Sequence, residues 1–212
     1  MEIIDFVFRW AHVLFGIAWI GLLYYFNFVQ TEYFKEAEAA ALADAKAKLA
    51  PRALAWFRWA AMLTFITGVL LFGGIHGRGV LNDYIVVGAL MGTLMFLNVW
   101  LIIWPKQKVV LGLAEGDAAL AAPKAALASR TNTLFSAPML FCMLASSHLG
   151  YSAQNLLAAN GGGLGMWLAI ALIALVQLNA VFGKAGPIAS IRGVIHMSLF
   201  LAAVIFCLIL FL

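Results

Sequence analysis

Four histidines carry most of the chemistry open to this sequence: His12, His76, His148 and His196. His12 lies inside the apolar run FVFRWAHVLFGIAWIGLLYYFNFVQ, with Arg9 one turn before it and Gly16 one turn after. A histidine inside a lipid-crossing helix is costly to bury and calls for a partner. Imidazole is the usual axial ligand of haem iron, and a helix bundle can hold a flat macrocycle between its members. A b-type haem is therefore the expected partner, with His12 as the leading iron ligand. A glycine one turn from a ligand lets the porphyrin approach the backbone. Gly16 fills that place for His12, Gly73 for His76 and Gly193 for His196. Arginines near the membrane faces can bind the propionates, Arg9 at one face and Arg58 and Arg192 at the other. The competing reading is that these histidines make interhelical hydrogen bonds or sit at wet helix ends. Zinc or copper fits less well, because carboxylates and thiols are nearly absent around His12.

The elements that must position these groups are helices in a membrane. Of 212 residues, 65% are hydrophobic and only 10% charged, against about 25% charged in a soluble domain. Six apolar runs reach spanning length, roughly 4–28, 54–75, 83–104, 132–149, 164–183 and 190–212, and about 20 residues suffice to cross. Unpaired backbone amides are not tolerated in lipid, so the runs must be helical. The expected fold is an all-α integral membrane protein, one domain over 1–212, built as a six-helix transmembrane bundle. The first run has neither a basic leader nor a small-residue cleavage site, and reads as a retained helix. Cys142 and Cys207 both lie in apolar runs, and no CxxC or CxxCH occurs, so a zinc ribbon and covalent c-type haem are excluded.

Charge sets the topology. Lys35, Lys46, Lys48 and Arg52 fall in the first loop, Lys106, Lys108, Lys124 and Arg130 in or at the end of the third, and Lys184 and Arg192 in or just after the fifth. The second loop has Arg78 alone and the fourth, about 150–163, has none. Basic loops stay cytoplasmic, which places both termini outside, periplasmic in a bacterial inner membrane. The same bias explains the net charge of +4 without nucleic acid. Loops one and three alternate Ala and Lys with apolar residues, and read as short amphipathic helices on the inner membrane surface. The NGGGLG stretch of loop four reads as a flexible external turn.

Counting depth at about 1.5 Å per residue gives two polar layers. His12, His76, His148, Arg9, Asp5, Arg78 and Ser147 form the outer one. His196, Asn98, Gln177, Ser136, Asn179, Arg58, Arg192 and Asn132 form the inner one. His12 and His196 then differ by roughly 13 Å in depth, too far for one haem unless helices tilt strongly. Either His12 pairs with an outer histidine, His148 first and His76 next, or there are two sites, or the iron has one histidine. Arg58 and Arg192 are expected to avoid lipid and to find an amide, a carbonyl or a propionate. Pro138 should kink the fourth helix and free a carbonyl one turn earlier, shaping a pocket beside Ser136.

Three stretches carry a family resemblance: RWAHVLFGIAWIG (Arg9 to Gly21), NVWLIIWPKQK (Asn98 to Lys108) and SRTNTLFSAPMLFCMLASSHLG (Ser129 to Gly150). They resemble the membrane domain of the bacterial membrane-bound urate oxidase, or urate hydroxylase, family. The matching positions are His12, Asn98, Trp104, Pro105, Arg130, Asn132 and His148. His12, Trp19 and Gly21 are also similar to a pattern in haem-binding membrane proteins of the protoporphyrinogen oxidase and copper-resistance kinds. The resemblance implies an inner-membrane protein tied to oxidation and to a cytochrome. The family's membrane domain is longer and precedes a cytochrome c domain, so the expectation here is a stand-alone form. Two functional classes follow. One is a b-haem redox protein exchanging electrons with a cytochrome c or quinone partner. The other is a haem-free accessory subunit packed on a larger respiratory or photosynthetic complex. In either case the protein could also be a homo-oligomer. A transporter fits less well, because inverted repeats and broken helices are not evident.

Overall fold

The computed structural model describes residues 2–149 and 162–212. Six long helices carry them: α1 Glu2–Glu36, α2 Ala39–Gly77, α3 Asp83–Val110, α4 Ala118–His148, α5 Leu164–Phe182 and α6 Ile191–Phe211. A short 3₁₀ turn at Gly186–Ala189 joins the last two. No strand occurs among the described residues. Five of the helices, all but α4, are long and apolar enough to cross a membrane. Of the NGGGLG stretch expected as a turn between α4 and α5, Asn160 and Gly161 lie outside the described residues, while Leu164 and Gly165 already begin α5.

The loop helices differ from expectation. Loop one is not a separate surface helix, because its alanine-rich sequence simply continues α2 toward its start at Ala39. Only Ala37, in extended conformation, and Glu38 break the chain between α1 and α2. Loop three likewise adds Trp104–Val110 to α3 and starts α4 at Ala118, where Asp117 caps the Ala119 and Leu120 amides. The proline positions have a local cause. Pro51 and Pro105 each follow a π-helical stretch, Ala45–Leu49 and Asn98–Ile103. There the Ala50 amide reaches back to the Ala45 carbonyl and the Trp104 amide to that of Val99. The wider turn is in place before a residue that can neither donate nor tolerate a tight preceding carbonyl.

The helices alternate in direction. At one end the Asp5 carboxylate on α1 lies 3.5 Å from Arg78 after α2, and Asn82 before α3 donates to the Ser146 carbonyl late in α4. The Gly163 amide before α5 donates to Asp83, and Leu212 ends beside Gly163. Both termini therefore lie at one end of the bundle, and the basic residues of loops one, three and five lie at the other.

Helix α4 sits at the centre. It packs against α3 and α6 along its length, and also meets α1 and α5. That position accounts for its polarity. Thr131, Asn132, Thr133 and Ser136 are all buried, facing protein rather than lipid. The expectation for Pro138 is met at its carbonyl. The Leu134 carbonyl, four residues earlier, accepts from Ser198 Oγ of α6 at 2.7 Å. Such a bond contributes about 1 kcal/mol net, and its loss leaves a buried acceptor orphaned. Around this centre the outward faces are apolar. Ile3, Phe6, Trp10, Val13 and Ile17 of α1 are exposed, as are Leu199 and Phe200 of α6. A contiguous surface of this kind suits lipid as solvent.

Candidate functional site

The partner of His12 is on α2. Its Nδ1 lies 2.9 Å from the Thr64 carbonyl and 3.1 Å from Thr67 Oγ1. The Thr67 hydroxyl gives its proton to the Leu63 carbonyl at 2.7 Å. A carbonyl only accepts, so Nδ1 carries the imidazole proton and Nε2 keeps its lone pair. This is the arrangement that orients and strengthens a histidine as a metal ligand. The ring is partly buried and lies against Gly68, where an added Cβ would fall 3.0 Å from Cε1. Gly68, rather than Gly16, makes room for the ring. A Cβ added to Gly16 would lie 4.0 Å from Thr64 Cγ2, so Gly16 faces α2 in the α1–α2 contact. Gly68→Val is expected to push the ring off Thr64 and to destabilise the α1–α2 pair by about 1–3 kcal/mol. Thermal unfolding of the purified variant measures it.

The other three histidines are exposed, His76 and His148 at the ends of α2 and α4 and His196 on α6. No group of three or more His, Cys, Asp or Glu side chains capable of holding a metal ion forms among the described residues. Gly193, expected to open a face beside His196, is instead packed so tightly on the Pro187 carbonyl that no Cβ fits. Gly73 beside His76 is open. Of the four histidines, His12 alone has a hydrogen-bond partner among the described residues.

Four residues of the expected outer layer, Asp5, Arg9, Arg78 and Ser147, come together, without its histidines. Asp5, Arg9, Arg78, Asn82 and Ser147 line a cleft of about 260 Å³ at the end that carries the termini. Arg9 Nε is already paired with Asp5 at 2.8 Å. In the inner layer, Arg58 avoids lipid as expected but not through a polar partner. Its guanidinium carbon lies 4.0 Å from the centre of the Trp104 ring, with Trp100 at 5.4 Å and Trp59 at 5.6 Å. Three indole faces stabilise the cation by cation–π attraction. Arg192 is exposed, with no hydrogen bond or ion pair among the described residues.

Three of the inner amides form one network. Asn98 Nδ2 donates to Asn132 Oδ1 at 2.8 Å and to Gln177 Oε1 at 3.0 Å, and Gln177 Nε2 returns a bond to Asn98 Oδ1 at 2.7 Å. Asn132 Nδ2 completes it on the Met95 carbonyl at 2.9 Å, just before the π-helical stretch of α3. The network ties α3, α4 and α5 together. Two further polar links join α1 to α4. Asn27 donates to Ser129 Oγ at 2.8 Å, and Tyr24 meets Ser136 Oγ at 2.8 Å. Asn179 stays apart, donating to the Lys184 carbonyl at 3.1 Å.

Residues 76–180 match the urate oxidase N-terminal family. No curated protein and no solved structure matches the chain. The matched residues hold the amide network, Trp100, Trp104, Arg130 and His148, whereas His12 and His196 fall outside them. The likeness to the urate oxidase N-terminal family thus rests on residues 76–180, which run from the end of α2 through most of α5.

Proposed function

We propose that the chain is an integral membrane redox protein of the urate-oxidase membrane-domain type that takes b-type haem on His12 and exchanges electrons with a cytochrome or quinone partner. The observation that carries this reading is the His12 Nδ1 bond to the Thr64 carbonyl, which leaves Nε2 free at a fixed orientation. Bound haem would supply one-electron chemistry. The residues of this chain orient the ligand, and the surrounding apolar α1–α2 face limits water at it. With His76, His148 and His196 exposed, the coordination proposed is by a single histidine. The test is the absorption spectrum of protein purified with haem supplied. A Soret band and a reduced-minus-oxidised difference support the reading, and their absence overturns it. The exposure of those same three histidines favours the second reading, a haem-free accessory subunit of a larger membrane complex.

All six helices are proposed to cross the membrane, with both termini outside a bacterial plasma membrane. Helix α4 is less apolar than the others, but it packs against α1, α3, α5 and α6. A reporter active only in the cytoplasm should be active when fused at Ala114 and inactive when fused at Asn160. The reverse pattern would invert the topology.

A further inference from the structure

A second cleft of about 260 Å³ lies between α1 and α6. Tyr24 and Phe28 form one wall, Ile195 and Leu199 the other, and Thr133 and Ala137 of α4 form the floor. Its lining is almost entirely apolar, and its hydroxyls are committed: Tyr24 to Ser136, Ser198 to the Leu134 carbonyl. Ile195 and Leu199 are 40% and 58% exposed, so the cleft opens to the lipid-facing surface. It suits a flexible hydrocarbon chain rather than a polar ligand.

Charge at one end of the cleft identifies the rest of the occupant. Arg130 precedes Thr133 by three residues, and Arg192 precedes Ile195 by three. Residues three apart share a helix face, and helical side chains lean toward the N-terminal turn. α4 and α6 run parallel, so both arginines lie about one turn from cleft-lining residues, toward the end that carries the basic loops. Arg130 is only 8% exposed, yet makes no hydrogen bond or ion pair among the described residues, and its Nη1 is fully buried without a partner. Glu32 is near enough to act on it electrostatically but is not in ion-pair contact. A buried guanidinium with free donors is unfavourable unless an anion accepts from them, and a phosphate does so bidentately.

We propose that this cleft binds an anionic phospholipid, with an acyl chain between Phe28 and Leu199 and the phosphate held by Arg130 and flanked by Arg192. The proposal is independent of haem. Its test is native mass spectrometry of the full chain in detergent, with phosphatidylglycerol and phosphatidylcholine of identical chains offered together. Wild type is expected to retain the phosphatidylglycerol in preference. Arg130→Gln should weaken that retention about tenfold. Arg192→Gln, an exposed change that leaves the fold alone, should weaken it about fivefold. Leu199→Trp, which fills the cleft, should lower retention of both lipids. Equal retention of the two lipids by wild type overturns the proposal. So does an unchanged preference in Arg192→Gln together with Arg130→Gln, or thermal stabilisation by inorganic phosphate alone equal to that by phosphatidylglycerol.

Discussion

Asn98→Leu is expected to destabilise the folded protein by about 3 kcal/mol. The substitution nearly preserves volume but removes the hub of the amide network. Gln177 loses both of its bonds and Asn132 Oδ1 loses its donor, inside a core where Asn98 is 1% and Asn132 0% exposed. Each orphaned buried group costs about 1–3 kcal/mol, although hydrogen bonds within membrane bundles average nearer 0.6 kcal/mol. The sum exceeds a typical surface mutation severalfold. Coupling provides the check. Because leucine at Gln177 also removes the orphaned partner, Asn98→Leu with Gln177→Leu should cost less than the two single changes added together. Denaturant or thermal unfolding of the four proteins measures the cycle. Strict additivity would mean that the two amides do not act on each other.

Gly165→Ala is expected to be as damaging from a single methyl group. Gly165 is buried at the start of α5, where it meets the end of α6. An added Cβ would fall within the Leu208 carbonyl group, with the Ile209 amide nitrogen only 3.0 Å away. These neighbours are backbone atoms, so no side chain can swing aside and the two helices must separate. Overpacking of this kind costs about 1–3 kcal/mol, and a helix crossing that depends on glycine lies at the upper end. Thermal unfolding should show the loss. Gly163→Ala, whose Cβ would meet the Asp83 side chain at 3.3 Å, should cost less.

The sequence patterns that were legible are those set by one helix at a time. Apolar runs marked every long helix, and counted depth separated the Asp5, Arg9 and Arg78 end from the level of Asn98, Asn132 and Gln177. Depth gives height but not direction around the helix, so the reciprocal Asn98–Gln177 pairing was out of reach. The same gap explains the histidines. His76, His148 and His196 are all exposed, a property that counted depth does not give. The actual partner of His12 is a backbone carbonyl, which has no residue signature at all. Thr64 and Thr67 look like ordinary helix threonines bonding their own preceding turn. The cage around Arg58 had a visible cue, since Trp100 and Trp104 are four apart and share a helix face. Loops one and three read as surface helices because amphipathic pattern does not say where a helix joins its neighbour.

The measurement that tests the central claim most directly is the reduced-minus-oxidised spectrum of haem-supplied wild type beside His12→Ala and His196→Ala. If His12 is the iron ligand, wild type and His196→Ala show the same haem bands, while His12→Ala loses or shifts them. Retention of the wild-type spectrum in His12→Ala, or the absence of any haem band from wild type, would contradict it.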